Sequence, residues 1–79
     1  MRILPNPVNS GILLMDLSGL DHWRRVEITN SNGQRAFSLD NSRSVNKQIT
    51  LDTEKWTPGI YFIQVSAGRW RIIEKIVVN

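Results

Sequence analysis

The chain has 79 residues, enough for one small domain with a single core, and a domain of that size buries only about 60% of the surface its unfolded form exposes. A hydrophobic content of 41% with 22% charged residues excludes wholesale disorder, and the absence of cysteine excludes disulfide staples, thiol redox chemistry and thiolate metal sites. The net charge is +3, but the ten Lys and Arg residues are scattered from Arg2 to Lys75, which describes a solvated surface rather than a nucleic-acid footprint.

No apolar run is long enough to cross a bilayer, and the N-terminus lacks the continuous apolar segment of a signal peptide, so membrane insertion is not expected. Met1 reads as an initiator placed ahead of a piece of a longer protein, with any export signal elsewhere.

In chain order, Ile3-Leu4-Pro5-Asn6-Pro7 is a short edge strand or lead-in, because its two prolines hold the chain extended and cannot donate to a sheet ladder. Ser10-Gly11 turns into the strand Ile12 to Leu17, whose inward face stays open because both parities are apolar. After the loop Ser18 to His22, Trp23 to Thr29 forms the next strand, with Val26 and Ile28 on one face and Arg25, Glu27 and Thr29 on the other. Arg24 and Arg25 then point to opposite faces.

Asn30-Ser31-Asn32-Gly33 tolerates positive φ and marks a hairpin, and Gln34 to Leu39 returns with Phe37 and Leu39 facing inward. A polar loop from Asp40 to Ser44 leads to a strand from Val45 to Leu51, and Asp52 to Trp56 supplies one helical or 3₁₀ turn. Thr57-Pro58-Gly59 then turns sharply into Ile60-Tyr61-Phe62-Ile63-Gln64-Val65, a central strand whose two apolar parities predict at least partial cover on both faces. Tyr61 stands where a sandwich places a corner tyrosine whose hydroxyl bonds upstream backbone as the chain passes between sheets; an ordinary core tyrosine after an ordinary turn is the alternative. Ser66 to Arg69 closes the last hairpin into Trp70 to Val78. The expected architecture is all-β, a seven-stranded antiparallel sandwich, with residues 1–79 as one domain.

Chemistry is sparse. His22 is the single histidine, so neither a zinc cluster nor a triad with Ser18 and Asp21 is expected, and the acidic residues show neither a calcium-loop pattern nor an acid/base pair. No catalytic, metal or cofactor residue is assigned. Trp23, Trp56 and Trp70 leave two readings open: a flat aromatic row for a glycan, or large side chains completing a small core.

The order Pro5-Asn6-Pro7, Val26 to Asn30 leading into Asn32-Gly33-Gln34, Pro58-Gly59-Ile60-Tyr61-Phe62-Ile63, and a closing Glu74-Lys75-Ile76-Val77-Val78 resembles the C-terminal sorting domain of type IX secretion cargo proteins over nearly the whole chain. The resemblance implies an immunoglobulin-like sandwich at the end of a larger secreted protein of Bacteroidetes, without catalytic role. It also implies passage through the outer membrane, removal by a surface sortase and attachment of the cargo to the cell surface. The implied partners are the outer-membrane translocon and the sortase. The motif positions carried over are Pro5, Asn6, Pro7, Gly33, Pro58, Gly59, Tyr61, Lys75, Ile76, Val77 and Val78; the region before Ile3 is absent, which places the cleavage site outside this chain, and Trp56, Trp70 and Arg24-Arg25 depart from the pattern.

Beside the resemblance, the last strand suggests a mechanism. Lys75, Ile76, Val77, Val78 and Asn79 could be read by a receptor through strand addition or capture of the chain end, with Glu74 and Lys75 interrupting the apolar face and guarding it against indiscriminate pairing. The alternative function is a carbohydrate-binding or adhesive accessory sandwich of a secreted enzyme.

Overall fold

The computed structural model describes residues 2–4, 11–18, 20, 23–40 and 48–79, and every regular element among them is a strand. In chain order these are β1 (Arg2–Leu4), β2 (Ile12–Asp16), β3 (Arg25–Asn30), β4 (Arg35–Asp40), β5 (Gln48–Asp52), β6 (Gly59–Ala67) and β7 (Trp70–Val78). β1 is a three-residue edge piece, and the other six strands have five or more residues each. They form two antiparallel sheets, ordered β1-β2-β5 and β4-β3-β6-β7.

Pairing settles the parity that the sequence of β2 left open. Leu13 lies opposite Leu51 and Met15 opposite Ile49, so the odd positions point into the core and Ile12 is left exposed. On the larger sheet the buried face comprises Val26 and Ile28 of β3, Tyr61, Ile63 and Val65 of β6, and Ile76 and Val78 of β7. These residues and Ile3, Leu13, Met15 and Ile49 of the smaller sheet belong to one hydrophobic cluster. The two sheets therefore share a core, and Leu17 and Trp23 fill it from the β2–β3 connection.

The β3–β4 hairpin shows how local chemistry fixes register. The Asn30 side-chain oxygen accepts from the backbone N–H groups of Asn32 and Gln34, both at 2.9 Å, while Gly33 takes a φ of 84°. An L residue rarely adopts that angle, so the turn selects glycine for its backbone freedom. Past the turn the register slips between Ile28 and Thr29, because Phe37 faces Ile28 whereas Arg35 faces Thr29 and leaves Ala36 bulged.

β6 is central, lying between β3 and β7, and its second face is partly covered, with Ile60 41% and Phe62 37% exposed. A chain of 79 residues has material for two layers, so the second side of a strand apolar on both receives less cover than the first. One expectation needs correction. Leu39 shares the inward parity of its partner Val26 but is also exposed, and Phe37 is only partly buried. Both sit on β4, an edge strand of the larger sheet. The readings made for Pro5-Asn6-Pro7, Asp21, His22 and the loop and strand start from Asn41 to Lys47 lie outside the described residues.

Candidate functional site

The chain crosses from the smaller sheet to the larger between β5 and β6, and the corner there is built from short-range contacts. Thr53 donates its N–H to the Gly11 carbonyl at 2.8 Å, and Trp56 donates back to the Thr53 carbonyl at 3.0 Å, closing one turn. The Tyr61 hydroxyl then donates to the Thr57 carbonyl at 2.6 Å, across the Pro58-Gly59 corner. The Trp56 and Tyr61 rings pack with centroids 5.1 Å apart and planes tilted by 36°. Gly59 has a φ of 151° with open space where a Cβ would stand, so backbone angle rather than crowding demands glycine.

Register carries this corner to one end of the larger sheet. Asn30 lies opposite Tyr61 and Gly59 opposite Val78, so the β3–β4 turn, the Pro-Gly corner and the end of β7 are neighbours. A shallow cleft of about 140 Å³ opens between the β3–β4 turn, with Asn30, Ser31 and Asn32, and the Pro-Gly corner, with Thr57 to Tyr61. Among the motif positions, Gly33, Pro58, Gly59, Tyr61 and Val78 are thus brought to one end, while Pro5, Asn6 and Pro7 lie outside the described residues.

The last strand divides by side. Ile76 and Val78 are buried in the core, Val77 is half-buried, and Lys75 and Asn79 are exposed. β7 forms an edge of its sheet, and among the described residues its free edge pairs with no other strand. Glu74 and Lys75 do not interrupt one face together. Glu74 lies opposite the buried Ile63 on the core side, whereas Lys75 lies opposite the exposed Phe62 on the outer side. Successive strand residues alternate sides, so adjacent charges always divide between two faces.

The outer face of the larger sheet has two dissimilar halves. On β3 and β4, Arg25 Nε lies 2.6 Å from Glu27 Oε1 and Arg25 Nη1 3.2 Å from Asp40 Oδ1, with Arg35 Nη2 4.0 Å from Glu27 Oε1. On β6 and β7 the same face carries Ile60, Phe62, Ile73 and Val77, with Lys75 and Arg71 among them. Sequence reasoning missed this apolar half, although the double apolar parity of β6 in so short a chain was the signal for it. The tryptophans make no row: Trp23 is buried, Trp56 packs on Tyr61, and Trp70 is 75% exposed at the far hairpin.

Among the described residues no group of three or more His, Cys, Asp or Glu side chains is placed to hold a metal ion, and no helix is long and apolar enough to cross a membrane. The chain matches, over residues 2–79, the family described as the secretion system C-terminal sorting domain. It belongs to that family. Such a sorting domain is a type IX secretion signal and not a catalyst; it interacts with the secretion machinery, and the protein bearing it is exported across the outer membrane to a secreted or cell-surface location.

A solved structure of the CBM51-2 and INT domains from Clostridium perfringens ZmpB is similar in fold, with a TM-score of 0.63 at 14% identity over 91% of this chain. The chain spans 17% of the length of that structure, and at this identity the likeness concerns the fold alone. None of the curated proteins matches the sorting domain.

Proposed function

We propose that residues 1–79 are the single C-terminal sorting domain of a larger secreted protein, folded as a seven-stranded immunoglobulin-like sandwich, and that the translocon reads it at the free backbone edge and end of β7. In this reading a surface sortase then removes the domain and joins the cargo to the cell surface. The supporting observation is that β7, a strand of nine residues with Lys75 and Asn79 exposed, is an edge of the larger sheet. Its backbone is thus oriented for strand addition, a mode in which main-chain hydrogen bonds give affinity and the alternate side chains give specificity.

Burial changes how the terminal segment must be tested. Removing Lys75 to Asn79 would also remove Ile76 and Val78 from the core, and losing a buried isoleucine side chain alone costs roughly 2–5 kcal/mol. The decisive variants are therefore Lys75→Gln and removal of Asn79, which leave the core intact. In a reporter fusion secreted by a type IX system, these changes together should lower surface delivery while thermal stability is kept. Undiminished delivery would remove the end of β7 from the reading.

The alternative of a glycan-binding accessory domain has no aromatic platform to stand on, since Trp23 and Trp56 are committed to packing.

A further inference from the structure

The outer face of the β6–β7 hairpin presents apolar side chains where a monomer gains nothing from them. Ile60 lies opposite Val77, Phe62 opposite Lys75 and Gln64 opposite Ile73, and antiparallel partners share a face, so these side chains form one continuous surface. Ile60 is 41%, Phe62 37% and Ile73 58% exposed. Lys75 stands in the middle, and Arg71, opposite Ser66, stands further along the same side. Neither cation has a carboxylate partner among the described residues, whereas the arginines of the β3–β4 half are paired with Glu27 and Asp40.

We infer that the outer face of β6–β7 is a docking surface for an apolar protein surface that carries carboxylates opposite Lys75 and Arg71. The charges select this occupant. A second copy of the chain would bring two Lys75 and two Arg71 side chains against one another, and like charges placed together disfavour association. A lipid surface fits less well, because two cations fall short of the cluster of about four to eight basic residues that reads anionic headgroups. The side chains also stand on one face of a pleated sheet, a surface that complements another layer of protein.

Size indicates the kind of contact. Four residue steps of about 3.4 Å along two strands about 4.8 Å apart give a patch of at most a few hundred Å². This is well below the roughly 800 Å² that each partner buries in a stable complex, so the contact is transient. A signal that must be both bound and released requires such a contact. The inference rests on the sorting reading and adds to it the outer face of β6–β7, which shares Lys75 with the end of β7 and extends beyond it to Phe62, Ile73 and Arg71.

The test uses the full chain fused to the end of an exported reporter in cells with a type IX system, with surface delivery measured by protease accessibility on intact cells. Phe62→Ser with Ile73→Ser, and separately Arg71→Glu with Lys75→Glu, should each reduce delivery about tenfold, a difference in transport rate that the assay reads directly. Arg71→Lys with Lys75→Arg, which keeps both charges, should leave delivery within about twofold of the wild type. Ser38→Asp, on the β4 half of the same face, should leave delivery unchanged. Thermal unfolding of each purified chain checks that the exposed substitutions leave the fold intact; Ile73→Ser alone, at the most exposed of the three apolar positions, serves if the double variant unfolds.

Full delivery of the folded variants beside a delivered wild type would overturn the docking surface and leave the sorting reading standing. A wild-type fusion retained in the periplasm would overturn both. Flotation of the purified chain with phosphatidylethanolamine and phosphatidylglycerol vesicles, abolished by Arg71→Glu with Lys75→Glu, would assign the face to lipid and overturn the protein occupant. Association of the wild-type chain with itself, abolished by Phe62→Ser with Ile73→Ser, would assign it to a second copy and do the same.

Discussion

Tyr61→Phe isolates one hydrogen bond at the point where the chain changes sheets. The substitution keeps the ring against Trp56 at 5.1 Å and removes the hydroxyl that donates to the Thr57 carbonyl at 2.6 Å. A typical intramolecular hydrogen bond contributes about 0.5–1.5 kcal/mol net, and a buried acceptor left bare adds a further penalty. The hydroxyl is only part-buried and Thr57 is exposed, so water can reach the abandoned carbonyl and the expected loss is about 1 kcal/mol. For a domain this small that loss lowers Tm by roughly 4–8 °C.

Tyr61→Ala removes the ring as well, at a cost of about 3–5 kcal/mol. Total stability for a chain of 79 residues is roughly 4–12 kcal/mol, so the alanine variant should lose at least about a quarter of it and the phenylalanine variant at most about a quarter. Urea and thermal unfolding followed by far-UV circular dichroism measure both. If Tyr61→Phe melts with the wild type, the corner does not depend on this bond and the account of the crossover is wrong. A double-mutant cycle of Tyr61→Ala with Trp56→Ala should then return a coupling of about 0.5–1.5 kcal/mol for the ring pair, provided denaturant baselines allow the singles to be measured.

The remaining predictions concern the core, the turn and the ionic half of the outer face. Trp23→Ala should destabilise by about 3–5 kcal/mol and Trp70→Ala by less than about 0.5 kcal/mol, because one ring is 5% and the other 75% exposed; equal effects in urea unfolding would refute the division. Gly33→Ala should cost about 1 kcal/mol through backbone strain alone, since its φ is 84° and a Cβ there would meet no atom; an unchanged urea midpoint would contradict it. Glu27→Gln removes the acceptor of two arginine contacts on an exposed sheet face, and should change stability by less than about 1 kcal/mol, with the difference shrinking as salt is added. A larger change that salt does not affect would show that Glu27 is held in a far less solvated site.

Much of the fold was legible because each strand announces itself by alternation. Val26 and Ile28 against Arg25, Glu27 and Thr29 give β3 its buried face, and the Asn-rich turn ending in Gly33 fixes the return of β4. What was not legible is burial set by neighbours rather than by the strand itself. Leu13 and Met15 are chosen over Ile12 only by their register with β5. Leu39 has the right parity and remains exposed because its strand is at an edge, and Ile60 and Phe62 stay partly exposed because no described layer packs on their side. Of the recognition segment, the residue types were visible, but the division of Ile76 and Val78 to the core and Lys75 to the outer face follows from pairing with β6. The convergence of the Gly33 turn, the Pro58-Gly59 corner and the end of β7 likewise depends on which strands are adjacent, and sequence order alone does not contain that information.

The most direct test of the account is delivery itself. The intact chain is fused behind an otherwise periplasmic reporter in a cell with a type IX secretion system, and the reporter is assayed in the medium and on the surface of intact cells. The reporter should leave the periplasm with the domain and remain there without it. A fusion that carries a folded domain and still accumulates in the periplasm would contradict it.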